Sequence, residues 1–168
     1  MTTDPFTTAA GAVLGALRCS SPFMSIVRPG NLIDMTADTF ERFKSQLQFN
    51  DTPEVVLLQD DFRLQPYGPA STSALLEQSF LLVSTLDSLK SRTLNVLKFQ
   101  TLAALAKAGP TLGFDGLVQS WEIGSCRDDA LSNATPAFPW KRGSQRWVSL
   151  LAISVRMILS RQQLISLG

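Results

Sequence analysis

A long stretch with helical periodicity, Ser88 to Ala108, dominates the pattern of apolar and polar positions along the chain. Gly109 and Pro110 end this pattern, because glycine caps helices and proline cannot continue them. We therefore predict a long central helix that rests on a sheet through one apolar side. The residues on that side recur with a period of 3.6 residues: Leu94, Leu97, Phe99, Leu102, Leu105 and Ala106.

Four apolar runs around this helix have the length and composition of β-strands. The second run is apolar on both faces, which is typical of a strand covered on each side, or covered by helix on one side and by a neighbouring subunit on the other. The runs are, in chain order, Glu54–Gln59, Leu75–Leu86, Leu117–Gly124 and Gln145–Ser160.

The first third of the chain contains a predicted helix with a clear start. Asp4 can cap this helix and Pro5 fits its first position, so we expect a helix from Pro5 to about Arg18. Three further elements are predicted after it: a short strand at Phe23–Val27, a turn at Arg28–Asn31 and a helix at Ala37–Leu47.

Two polar segments separate the strands. Asp60–Ser73 contains two prolines and a glycine and is either a loop or the tip of a long hairpin, and Ser125–Gly143 is a long connection. Loops of this length are commonly functional or disordered. We predict one α+β domain over residues 1–168, with a mainly antiparallel or mixed sheet flanked by an N-terminal helix and the long central helix, and with loop arms at 60–73 and 125–143.

Composition excludes several kinds of function. The 168 residues carry a net charge of +1, so no overall field draws the chain to nucleic acid or membranes. The absence of histidine removes His-dependent triads and His metal sites, and Cys19 and Cys126 have no metal-binding spacing. We expect no cofactor, no metal and no enzymatic activity. A charged fraction of 17% is low, which fits either a well-filled core or a large buried partner surface.

Adjacent carboxylates occur at Asp60-Asp61 and at Asp128-Asp129. General acid–base chemistry or a bound cation needs carboxylates that converge from different elements, whereas neighbours in a loop diverge. We therefore expect solvated turn residues at both pairs. As parts of the two arms, these carboxylates and the nearby Arg63 and Arg127 are candidates for contact between subunits.

A basic-aromatic cluster precedes and begins the last strand, and two cations interrupt apolar patterns. The cluster, composed of Trp140, Lys141, Arg142, Arg146 and Trp147, fits nucleic-acid binding, a protein interface, or a solvated start of the strand with one packed Trp. Lys98 lies within the apolar arc of the central helix, so it either extends to solvent at the edge or reaches a partner. Arg156 either points outward or pairs across a subunit boundary.

The order of elements resembles the tail terminator and tail-completion proteins of tailed bacteriophages, together with the related neck proteins. An N-terminal amphipathic helix precedes a PEVVLLQ strand, and a QSFLLVSTL strand leads directly into the long helix. The strands GLVQSWEIG and QRWVSLLAISVRMIL, joined by a polar arm, complete the order. The resemblance covers roughly Pro5 to Ser160, and the helix at Ala37–Leu47 and the segment Asp60–Ser73 depart from the family pattern.

The resemblance implies a structural virion protein, assembled in the host cytoplasm, that forms a ring at the head-proximal end of the tail. Such a ring, commonly six-fold, ends growth of the tail tube and provides the docking surface for the head. It implies contacts with further copies of the chain, with the tail tube protein and with a neck or head-completion protein. It implies no membrane contact and no specific nucleic-acid binding, although the genome passes through the ring. The alternative is a non-enzymatic adaptor that meets one partner through the Trp140–Trp147 edge.

Overall fold

The computed structural model of the chain describes residues 4–34, 36, 53–67, 73–87, 91–131, 146–160 and 162. Side chains are described within these ranges except at 66–67, 85–87, 91–92, 94, 125–131 and 146–148. The strands form a five-stranded mixed sheet in the order β1-β2-β3-β5-β4. This architecture confirms the predicted α+β class. The elements are α1 (Pro5–Arg18), α2 (Ser21–Ile26), β1 (Leu32–Asp34), β2 (Glu54–Tyr67), β3 (Ser73–Asp87), α3 (Ser91–Ala108), β4 (Val118–Leu131) and β5 (Arg146–Ser160).

Helix α1 begins at the predicted cap. One carboxylate oxygen of Asp4 accepts a hydrogen bond from the Thr7 N–H at 2.8 Å, and the other accepts one from the Thr7 hydroxyl at 2.6 Å. Pro5 occupies the first turn, where its missing N–H costs nothing. The helix buries mostly small residues, which allows it to pack closely against α3 as well as against the sheet: Ala9, Ala10, Ala12, Val13, Leu14, Ala16 and Leu17.

Replacing Asp4 with Ala should lower the free energy of unfolding by about 1 kcal/mol, the usual effect of losing such a cap. The hydrogen bond from the Thr7 hydroxyl, and after it the bond from the Thr7 N–H, lowers the pKa of the Asp4 carboxyl below its ordinary value. A lowered folded-state pKa means that the stabilisation is present above the unfolded-state pKa and is lost as the pH falls through the folded-state pKa. Urea unfolding at pH 7 and at pH 2 checks this, with Asp4→Asn as the control that keeps a capping oxygen. An equal deficit for Asp4→Ala at both pH values would contradict it.

The strand predicted at Phe23–Val27 is wrong, because this segment forms α2. The Ser20 hydroxyl accepts a hydrogen bond from the Phe23 N–H at 3.4 Å and caps this short helix, and Pro22 lies in its first turn. Phe23 is fully buried in the core. The predicted turn that follows is confirmed as a 3₁₀ turn at Pro29–Asn31.

The hairpin alternative for Asp60–Ser73 is correct up to Tyr67. Strand β2 continues past Gln59 to Tyr67 and pairs antiparallel with β3 on both sides of one interruption, ending with Tyr67 opposite Ser73. A β-bulge between Gln59 and Phe62 shifts the register and contains both aspartates. Asp60 and Asp61 are therefore exposed residues of a bulged strand, and their placement in a turn was wrong.

The second predicted arm begins inside the sheet. Strand β4 runs to Leu131 and pairs with β5, so Ser125–Leu131 is paired strand and its assignment to a loop was wrong. Asp128 and Asp129 lie in this paired stretch, so the turn predicted for them is also wrong. The remainder of that arm and the helix predicted at Ala37–Leu47 lie outside the described residues.

The core lies between the helices and one face of the sheet, here called the helix face. Alternating residues of the three central strands line it, among them Leu57, Phe80 and Ile153, each at most 1% exposed. Helices α1, α2 and α3 contribute to the same apolar cluster. The opposite face of the sheet, the second face, also contains buried apolar residues, namely Val56 and Val83. This confirms that β3 is apolar on both sides.

The end of α3 is joined to β4 by a compact turn. Gly109 has a φ of +86°, a left-handed conformation that favours glycine and ends the helix as predicted. The indole N–H of Trp121 donates a hydrogen bond to the Gly109 carbonyl at 2.9 Å. This contact attaches the sheet edge to the helix end.

Candidate functional site

The outward side of α3 is apolar. Val96, Phe99 and Leu102 are 44%, 66% and 40% exposed, and Ala106 is exposed beside them. The inward side instead contains Leu97, Ala104 and Leu105, together with Thr101, whose hydroxyl donates to the Leu97 carbonyl at 2.8 Å. The prediction that Phe99, Leu102 and Ala106 face the sheet was therefore wrong. Because α3 is apolar on both sides, its periodicity alone did not identify the buried side.

We call Val96, Phe99, Leu102 and Ala106 the α3 outer face. A solvent-facing helix side normally carries charged and polar residues. Phe99 is more exposed than the other large apolar residues of the described chain. The charges of α3 are all basic, at Arg92, Lys98 and Lys107. The α3 outer face is thus an apolar strip on a helix with a net positive charge.

A second exposed apolar surface lies where the N-terminus of α1 meets the β2–β3 hairpin. Phe62 and Leu64 on β2 are each 54% exposed. The ring of Phe6 contacts Phe62 edge to face, with 5.6 Å between centroids and 81° between planes. These residues form an open groove of about 290 Å³, here called the hairpin groove, lined by Asp4, Pro5, Phe6, Phe62, Leu64, Leu76 and Leu159.

The hairpin groove has acidic residues around it. Asp4 belongs to its lining, and Asp60 and Asp61 are exposed on the bulge next to Phe62. The buried side chain of Gln78 supports the bulge by donating to the Asp61 carbonyl at 3.0 Å, and Asp61 accepts the Phe62 N–H at 2.8 Å. Arg63 is an exposed cation on the same strand. Three acids against one base give this region negative charge.

A third concavity of about 370 Å³ separates α1 from α3 and the turn after α3. Small side chains such as Gly15, Ala16 and Ala104 form its floor, and Phe114, 41% exposed, lies at its rim. Cys19 is an exposed free thiol beside it. The lining is almost entirely apolar and contains Lys107 as its ionisable amine.

Arg156 on the second face is paired within the chain. Its Nε lies 3.2 Å from Glu77 on β3, and one of its terminal nitrogens lies 2.9 Å from Glu122 on β4. Nearby, the hydroxyl oxygens of Ser79 and Ser154 are 3.4 Å apart. Of the two possibilities considered from sequence, the structure therefore supplies intrachain partners for Arg156 and needs no subunit boundary.

The described residues contain no group of three or more Cys, Asp or Glu side chains positioned to hold a metal ion. Within the same part of the chain, no helix is long and apolar enough to cross a membrane. The candidate site is a set of surfaces, and the α3 outer face and the hairpin groove together contain five of the six exposed large apolar residues of the described chain.

Comparison with known proteins identifies the fold. No protein-family model matches the chain, and no curated protein matches it in sequence. Among solved structures, the fold is similar to that of a chain in the "Virion of native gene transfer agent (GTA) particle", with a TM-score of 0.52. The two chains are 10% identical, and the match covers 88% of this chain and 93% of the other. At this identity the likeness establishes a shared fold.

The structure brings some of the predicted interaction residues together. In the register of β4 and β5, Ala130 lies opposite Trp147 and Leu131 opposite Arg146, so the stretch Arg127–Asp129 and the start of β5 occupy one end of the sheet. Asp60, Asp61 and Arg63 lie apart from these, on the β2 bulge. Lys98 is half-buried on a flank of α3 and has an interaction partner.

Trp140, Lys141 and Arg142 lie outside the described residues, so binding through the Trp140–Trp147 edge stays a prediction.

Sequence reasoning missed the aromatic residues of the hairpin groove. Phe62 and Leu64 sit in a segment whose aspartates, prolines and glycine favoured a loop, yet their spacing of two residues is that of a strand. The alternation Phe62, Leu64, Pro66 was the signal available for a strand with one apolar face.

Proposed function

We propose that this chain is a structural protein of a phage-like virion. The observation that carries the proposal is the fold likeness to a chain of a gene transfer agent virion, which extends over nearly the full length of both chains. The likeness is independent of the sequence resemblance to tail terminator and neck proteins, which rested on element order. The two lines of inference lead to the same class of particle.

Within that class, we propose a ring at the head-proximal end of the tail, most simply six-fold, that ends tube growth and joins the tail to the head or neck. A closed ring requires each subunit to present two unlike surfaces that meet around the axis. The α3 outer face and the hairpin groove supply two such surfaces, since they share no residue and differ in charge. The genome would pass through the central channel without sequence-specific contact.

The partners that follow are further copies of the chain, the tail tube protein and a neck or head-completion protein, all within the virion. The proposal assigns no catalytic activity and no cofactor. An apolar, weakly charged surface fits this role, because interfaces that stay assembled are more apolar than transient ones.

Capping of tail tubes tests the proposed function. The tail tube protein of the same particle would be polymerised with and without this chain, and the products examined by negative-stain imaging. We expect a ring at one end of each tube and a narrower, shorter distribution of tube lengths when the chain is present. Tubes with the same lengths and bare ends in both samples would overturn the tail-end role.

A further inference from the structure

We infer that the α3 outer face of one copy of this chain docks in the hairpin groove of the next copy. The inference rests on the proposed ring function and adds to it the residues on each side of the contact. Phe99 is the central side chain of the protruding surface, and Phe6, Phe62 and Leu64 form the surface that receives it.

Shape and exposure support this pairing. Phe99 projects from a helix with 66% of its surface exposed, flanked by Val96 and Leu102. The hairpin groove is open, has a volume of about 290 Å³ and is lined by apolar side chains apart from Asp4. Aromatic side chains seated in apolar pockets supply much of the free energy of protein interfaces. The α3 outer face thus protrudes and the hairpin groove is concave, and both are apolar.

Charge selects the same arrangement. The α3 helix carries Arg92, Lys98 and Lys107 and no acidic residue, whereas the groove region carries Asp4, Asp60 and Asp61 against Arg63. Docking α3 on the groove places cations opposite anions, which favours the correct partner. A symmetric contact of α3 with the α3 of a second copy would instead bring two basic helices together. The contact is therefore heterologous, the type that generates rings.

Beyond the residues Val55–Leu57 that pair with β1, the edge of β2 does not offer a competing route by strand addition. The bulge between Gln59 and Phe62, the charges of Asp60, Asp61 and Arg63, and Pro66 are features that disfavour pairing with another strand. A partner would therefore contact the side chains of the hairpin and would not form main-chain hydrogen bonds with it.

Two single substitutions with complementary defects test the contact. Phe99→Asp removes the protruding side chain and Phe62→Asp places a charge in the groove, and both side chains are more than half exposed, so the fold should be kept. Each variant alone should be monomeric, with association weakened by roughly 30-fold or more. Gln119→Asp, which adds the same charge at an exposed position of β4, is the control and should assemble like the unmodified chain.

Mixing the two variants gives the decisive result. The groove of Phe99→Asp and the α3 outer face of Phe62→Asp are both intact, so an equimolar mixture should form a one-to-one complex of twice the 18.3 kDa subunit mass and nothing larger.

Native mass spectrometry separates the outcomes. Rings that persist in both variants would overturn this contact and leave the ring function standing. A mixture that stays monomeric would overturn the pairing of these two surfaces. An unmodified chain that never self-associates, even in the presence of tail tubes, would overturn the ring itself.

Discussion

Replacing Phe80 with Ala should lower the free energy of unfolding by about 3–5 kcal/mol. Phe80 is 1% exposed on the central strand β3, pairs with Ile153 across the sheet, and contributes to the cluster shared by all three described helices. Truncation removes a large apolar side chain from water-free surroundings and leaves a cavity between sheet and helices. A loss of this size is a large fraction of the roughly 5–15 kcal/mol that holds a typical domain folded.

Urea unfolding followed by circular dichroism measures this loss at a protein concentration that keeps the chain monomeric. Phe114→Ala is the matched control, since Phe114 is 41% exposed after α3 and its truncation should cost less than about 1 kcal/mol. Phe80→Leu keeps most of the volume and should fall between the two. Equal losses for Phe80→Ala and Phe114→Ala would contradict the placement of the core on the helix face.

Reversing the charge of Arg156 should destabilise the chain by about 2 kcal/mol at neutral pH. Arg156→Glu removes both ion pairs and places a carboxylate directly opposite Glu77 and diagonal to Glu122. Like charges in cross-strand pairs repel, and the half-exposed positions screen this only partly.

Two further variants isolate the ion pairs. Arg156→Gln loses the pairs without adding repulsion and should cost about 1 kcal/mol or less, as expected for partly exposed pairs. Exchanging the partners, with Arg156→Glu combined with Glu77→Arg, should recover part of the stability lost in Arg156→Glu. Thermal unfolding at pH 7 compares them. Two results would contradict a stabilising role for the ion pairs of Arg156 with Glu77 and Glu122. One is equal destabilisation by Arg156→Gln and Arg156→Glu, and the other is no recovery of stability in the double variant.

Helix ends that depend on interactions between residues close in sequence were predictable from the sequence. The cap at Asp4, the start at Pro5 and the end of α3 at Gly109 each depend on neighbouring backbone groups, and the structure confirms all three. The four strands predicted from long apolar runs are also present, whereas the short strand predicted at Phe23–Val27 is not. The α+β class followed from the order of these elements.

Features decided by tertiary contacts were not predictable in the same way. Phe23–Val27 is as compatible with a strand as with a helix, and the Ser20 cap and packing against α1 decide for α2. Within Asp60–Tyr67 the two aspartates and Pro66 disfavour a strand, yet the segment pairs from Phe62 onward because β3 provides partners there. The buried side of α3 depends on how the helix sits on the sheet, which its two apolar sides leave open.

The candidate surfaces also depend on tertiary contacts, and the sequence did not locate them. Sequence reasoning directed attention to charged and Trp-rich segments, since these residues are common at interfaces. The described structure instead exposes apolar residues that the pattern had assigned to the core, above all Phe99. A low charged fraction was the one compositional sign of such surfaces, and it did not locate them.

The central claim, that this chain assembles as a ring, is tested most directly by native mass spectrometry combined with negative-stain imaging over a range of protein concentrations. We predict a closed oligomer, six subunits in the simplest case, with a central channel, whose population rises with concentration. A single species at the 18.3 kDa subunit mass at every concentration, and also in the presence of tail tubes, would contradict the account.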